Sequence, residues 1–116
     1  MTIYVDDVRI PATVGRYRDR RWCHLMSDQI DPAELHAFAQ RIGLRRDWFQ
    51  PGTRLGSRTE HDPAGDHYDV TEAMRRRAVA AGAVEIDRAG LVELLRRRRN
   101  TLAAAAAAGA IPERVR

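Results

Sequence analysis

Residues 22–43 read WCHLMSDQIDPAELHAFAQRIG, and the stretch sets a buried strand directly before a capped helix. Trp22 to Met26 is apolar at nearly every position, as an interior strand covered on both faces should be. Side chains alternate along a strand, so His24 shares a face with Trp22 and Met26 while Cys23 and Leu25 share the other. Asp31 can accept hydrogen bonds from first-turn amides, Pro32 suits the first helical position, and Glu34 completes a reciprocal cap. Gly43 can take the left-handed closing conformation. The spacing therefore predicts a helix over 32–42, with Leu35, Phe38, Ala39 and Ile42 buried and His36 at the edge of that stripe.

Working outward, Ile3-Tyr4-Val5 is β-branched and aromatic and suits a short strand ending at Asp6 and Asp7. Residues 9–21, with Pro11, Gly15 and interleaved arginines, read as a solvated loop. Trp48-Phe49-Gln50 reads as a further short strand. Residues 51–66 carry Gly52, Gly56, Gly65, Pro51 and Pro63 with only Leu55 as a large apolar side chain, the composition of a flexible insertion loop. Because that loop joins Gln50 to His67, it lies where a lid would lie. A second helix is expected from Thr71 to the Gly82 stop, a strand at 83–86, and a third helix capped by Asp87 that runs toward the alanines before Gly109. The result is an α/β fold, a small single-domain sheet of about four short strands with about three helices. Residues 1–95 form the domain, and residues 96–116 an arginine- and alanine-rich helical extension.

A chain of 116 residues is the size of one domain. Its 20 basic side chains are all arginine, set against 16 acids, and they fall in small clusters such as Arg16 to Arg21 and Arg96 to Arg99 rather than one field. The single cysteine, Cys23, can form no internal disulfide. The alanine run lacks the bulk and length of a membrane span, and the first residues lack a signal-peptide pattern. A cytoplasmic protein without membrane partners is the expectation.

Asp6 and Asp7 end the first strand, where α/β sheets gather their ligands. A histidine in an otherwise apolar strand, as His24 is, must be hydrogen-bonded or functional, because an unpaired buried polar group is costly. His36 reaches the rim of a pocket, and His67-Tyr68-Asp69 precedes a helix N-terminus. Two or three imidazoles with one or two carboxylates suit a divalent ion such as zinc, manganese or iron. His24, His36 and His67 are thus candidate metal ligands or proton-transfer groups, with Asp6, Asp7, Tyr68 and Asp69 around them. Plainer readings stand beside these: strand-end acids that solubilise a turn, a satisfied core histidine, Asp69 as a helix cap. No H-E-x-x-H, C-x-x-C, G-x-S-x-G or phosphate-loop pattern is present. The competing class is a nucleic-acid or partner-binding module using Arg45, Arg46, Trp48 and Gln50, set against surface arginines that merely cover a core tryptophan. The alanine-rich helix offers a smooth face for self-association.

The order of these landmarks carries a resemblance. Tyr4-Val5-Asp6-Asp7, Trp22-Cys23-His24-Leu25, Glu34-Leu35-His36-Ala37-Phe38-Ala39 with Ile42-Gly43-Leu44, Trp48-Phe49-Gln50, His67-Tyr68-Asp69-Val70 and Arg77-Ala78-Val79-Ala80-Ala81-Gly82-Ala83 follow one another as in a small bacterial and phage family. The chain resembles that family, domain of unknown function four thousand and thirty-one, over roughly residues 3 to 86. The resemblance implies a shared fold and groups Asp6, Asp7, His24, His36, His67 and Asp69, with Trp48 and Gln50, as one site; it implies no reaction.

Overall fold

A computed structural model describes residues 2–53 and 59–109. Its elements run β1 (Ile3–Val5), β2 (Ile10–Val14), β3 (Tyr17–Ser27), α1 (Ala33–Arg41), β4 (Phe49–Gln50), β5 (His67–Val70), α2 (Glu72–Ala80), β6 (Val84–Glu85) and α3 (Arg88–Ala107). The protein is α/β: among the described residues it has three helices and a mixed six-stranded sheet ordered β4-β5-β3-β1-β6, with β2 paired to β3 outside that path. Among the described residues, only the β1–β6 pair is parallel.

The long β3 organises everything else. Its second half pairs with β1 on one side and β5 on the other, placing Val5 opposite Leu25, His24 opposite Asp69 and Cys23 opposite Val70. Alternation then sorts the sheet into two faces. Val5, Cys23, Leu25, Tyr68 and Val70 turn toward α1 and α2 and join Leu35, Phe38, Ala39 and Ala78 in the main core. Leu25, Leu35, Val5, Tyr68 and Val70 are among the largest fully buried side chains; each contributes roughly 1.5–3 kcal/mol by leaving water. Trp22, His24, Met26, His67 and Asp69 turn to the opposite face.

Two strands exceed the expected four. Residues 10–21 form a β-hairpin turning at Gly15, whose φ of 54° fits glycine. All of β2 is exposed; Ile10, Ala12 and Val14 do alternate along it, but Pro11, Gly15 and the arginines around them give the segment the composition of a solvated loop. In β5 the alternation is present, with Tyr68 and Val70 buried and His67 and Asp69 half-buried, but at four residues it reads equally as the approach to a helix.

The helices begin near the expected positions. Asp31 accepts a hydrogen bond from the Ala33 amide at 3.0 Å, although the helix starts one residue after Pro32. Thr71 caps α2 and Asp87 caps α3. α3 is continuous through residue 96, where the extension was expected to begin, and its Arg98 is fully buried. The Arg98 guanidinium donates to the carbonyls of Pro63 at 2.8 Å and Asp66 at 3.2 Å. These contacts fix the 63–65 turn, the closing end of the segment read as a flexible loop. That end is packed: Ala64 and Asp66 are buried, and Gly52 donates its amide to Asp66 at 2.9 Å. Residues 54–58 of that segment lie outside the described residues.

Replacing Arg98 by Ala takes a guanidinium donor from the Asp66 carbonyl and one of two donors from the Pro63 carbonyl, and removes a buried stem, so it should destabilise the fold by about 2–4 kcal/mol. Arg98→Lys should recover part of the loss, and urea denaturation of the three proteins measures both. Gly52→Ala should also destabilise, because a Cβ there would sit 2.6 Å from the Gly65 Cα.

Candidate metal centre

The face of the sheet turned away from α1 carries a cluster of side chains from three strands. Asp6, the first residue beyond β1, is fully buried. One of its carboxylate oxygens accepts the His24 amide at 2.9 Å and the Val8 amide at 3.4 Å, while the other accepts the His24 ring proton on Nδ1 at 2.6 Å. Burial pushes the Asp6 carboxyl upward, but the bonds from the His24 side chain and backbone outweigh it and hold the group below its ordinary range. Asp6 is therefore an anion, and an anion can only accept. Nδ1 of His24 is therefore the donor to Asp6, which leaves Nε2 as the ring nitrogen turned toward the cluster.

His67 is fixed in the same sense by a different acceptor. Its Nδ1 lies 2.7 Å from the Gly65 carbonyl oxygen, which has no proton to give, so Nδ1 is the donor and Nε2 faces Asp69 at 3.2 Å. The cross-strand register brings His24 opposite Asp69, with Nε2 3.9 Å from the same carboxylate oxygen. The two imidazole rings meet edge to face, 5.0 Å between centroids. One ligand atom from each of His24, His67 and Asp69 lies within 4.8 Å of the others. All three are half-buried and line a groove of about 270 Å³ whose other walls are Trp22 and the hairpin residues Ile10, Ala12 and Val14.

The remaining candidates divide between the two faces. Asp7 is exposed and faces none of this cluster's ligand atoms among the described contacts. His36, on α1, bonds through Nδ1 to the Tyr68 hydroxyl at 2.8 Å and packs against Phe49, on the core side of the sheet. Burial, with Arg46 nearby, lowers its pKa, and its Nε2 is buried without a partner. Tyr68 alternates with His67 and Asp69, so neither it nor His36 joins the cluster. The aromatic and basic group around Trp48 also separates. Arg45 is paired with Asp47 and Arg46 lies over the Phe49 ring, whereas Trp48 meets Tyr17 edge to face and Gln50 pairs in register with His67. Sequence reasoning missed the Gly65 carbonyl and the apolar hairpin wall; only the i, i+2 alternation of His67 and Asp69 signalled their shared face.

A family model described as protein of unknown function (DUF4031) matches residues 3–98. The chain belongs to this family. The match reaches past the expected boundary near residue 86 and ends on Arg98, the residue that holds the 63–65 turn. No curated protein and no solved structure matches the chain. Among the described residues, no helix is long and apolar enough to cross a membrane.

Without an ion, a second proton relieves the crowding of lone pairs. Burial alone would lower the pKa of His67, but the hydrogen bond to Asp69 and the Gly65 carbonyl raise it above the ordinary 6.5. A raised basic group stabilises the fold fully below its unfolded pKa, and that contribution is lost as pH rises through the folded value. Chelator-treated protein should therefore lose stability as pH rises from the ordinary histidine value through the raised value of folded His67, and Asp69→Asn should flatten the loss. Urea midpoints across that range test it, and the Asp6 contribution stays separate because it is lost only as pH falls below the carboxylate range.

Proposed function

We propose that this protein holds one divalent transition-metal ion through His24 Nε2, His67 Nε2 and an Asp69 carboxylate oxygen, and uses it for metal-assisted chemistry in the groove beside the β2–β3 hairpin. The observation that carries this reading is the commitment of both Nδ1 protons to acceptors, Asp6 for His24 and the Gly65 carbonyl for His67. Two lone pairs and a carboxylate then converge with no proton of their own to share. A cation is the natural occupant, and two imidazoles with one carboxylate suit zinc, iron or manganese. The Asp6–His24 pair has the form of a carboxylate behind a ligating histidine, which fixes the tautomer and raises the basicity of the ligand nitrogen.

Three protein ligands leave positions for water or substrate on the groove side, the arrangement of a catalytic rather than a closed structural site. A water bound there would be acidified by the ion and become a nucleophile near neutral pH. The groove supports hydrolysis as the reaction class: it is open to solvent, and among the described residues it holds neither a nucleophilic serine nor a thiol, since Cys23 is buried on the other face. A buried cysteine kept as a thiol is compatible with a reducing, cytoplasmic setting.

Elemental analysis and calorimetric titration after chelation test the reading. The wild-type protein should take up one zinc or manganese ion per chain, and His24→Ala, His67→Ala and Asp69→Ala should each abolish that uptake. Asp6→Asn should weaken binding by about 10- to 100-fold, the usual cost of losing a partner behind a ligand. His36→Ala should leave binding unchanged. A folded wild-type protein that binds no divalent ion, or one whose binding survives loss of His67, would overturn it.

A further inference from the structure

The metal cluster has an aromatic neighbour. A cleft of about 140 Å³ opens beside it, walled by Tyr17, Trp22 and Trp48 with Gln50 at its rim, and it shares Val14, Trp22 and Asp69 with the groove of the metal cluster. Cavities of about 150 Å³ accept one benzene-sized ring, so the cleft suits a single planar ring. Tyr17 meets both tryptophans edge to face, at 5.9 Å and 6.3 Å between centroids, and stays half-buried with Trp48. The Gln50 amide, on the same sheet face as His67, carries both donors and an acceptor, the pairing that reads the edge of a heterocycle rather than of a plain hydrocarbon ring.

Charge supplies the second half of the argument. The hairpin that walls the groove carries Arg20, exposed and without an ion-pair partner among the described residues, directly across from the groove residue Ala12 and so on the groove face. The positive edge and a divalent ion together favour an anion with several hard oxygens, which is phosphate rather than a single carboxylate. A planar heterocycle and a phosphate joined at short range make a nucleotide.

We propose that the cleft and the metal cluster form one site for a nucleotide unit, its base in the cleft lined by Tyr17, Trp22 and Trp48 and its phosphate between the ion and Arg20. The proposal rests on the metal reading above and names its substrate class. The unit can arrive as a free nucleotide or within a single strand, where stacking on aromatic side chains is likewise tolerant of sequence.

Calorimetric titration of uridine 5′-monophosphate, uridine, ribose 5-phosphate and a short oligouridylate into metal-loaded and chelator-treated protein tests it. Uridine 5′-monophosphate should bind the metal-loaded protein at least about tenfold tighter than either fragment. Trp48→Ala and, as a variant on the exposed rim that spares the core, Gln50→Ala should each reduce the advantage over ribose 5-phosphate while metal uptake is kept. Arg20→Ala should weaken binding and flatten its salt dependence. An oligouridylate binding more than about tenfold tighter than the mononucleotide assigns the site to a strand, and equal or weaker binding assigns it to the free nucleotide. If no ion binds but the chelator-treated protein still prefers the nucleotide to ribose 5-phosphate, the metal reading fails and the base cleft stands. Equal binding of nucleotide and ribose 5-phosphate in both states, or none, overturns the proposal.

Discussion

The buried carboxylate of Asp6 is the constraint on which the rest depends. A charge at full burial is tolerated only when its oxygens are saturated with donors, and here the donors are the His24 amide, the His24 ring and the Val8 amide. Satisfying Asp6 therefore locks the position of β3 against β1 and the tautomer of His24 in one act. The Asp6 backbone extends the lock: its amide donates to the His24 carbonyl, and its carbonyl accepts from Arg75, whose guanidinium also pairs with Glu85 at the far edge of the sheet. Helix α2, the sheet edge and the candidate site are tied to one residue.

Much of this architecture was legible in the sequence, and the parts that were not share a cause. The apolar run from Trp22 to Met26 and the capped helix after it gave the α/β class, and strand alternation put His24 with Trp22 and away from Cys23, as the register shows. The grouping of His36 with His24 fails for a reason no periodicity contains. With both faces of β3 apolar, nothing in the sequence says which face α1 will cover. It covers the Cys23–Leu25 face, so every residue on α1 is on the far side of the sheet from His24. The hairpin at 10–21 was illegible in a different way. Its short Ile10, Ala12, Val14 alternation is interrupted by Pro11 and followed by Gly15 and arginines, so composition outweighed a three-residue period.

The segment after Gln50 shows how polar composition misleads when its polar groups are satisfied internally. Glycines and prolines with few large apolar side chains suggest a chain unable to offset its ordering entropy. Asp66 is nevertheless buried, accepting from the Gly52 amide with His61 Nε2 2.7 Å away, and Arg98 reaches across from α3 to two carbonyls of the same turn. Ordering here comes from hydrogen bonds to buried charged groups, which are worth more than those between neutral groups.

That turn matters for chemistry because it supplies the Gly65 carbonyl. His24 and His67 point equivalent nitrogens at Asp69, yet they are held by unlike supports: a buried carboxylate for His24 and a neutral carbonyl for His67. The carboxylate makes His24 the stronger donor and keeps its tautomer fixed. The carbonyl fixes the tautomer of His67 without adding full negative charge, so His67 answers more directly to what occupies the space in front of it. A proton or a cation placed there meets the same Asp69 oxygen, and each stabilises the cluster by the charge it brings. The two histidines thus divide the work, with His24 built rigidly into the sheet through Asp6 and His67 resting on a turn whose position is set from α3. The site therefore depends on Arg98 although Arg98 is outside it, which gives a physical reason for the third helix to belong to the domain rather than to a tail.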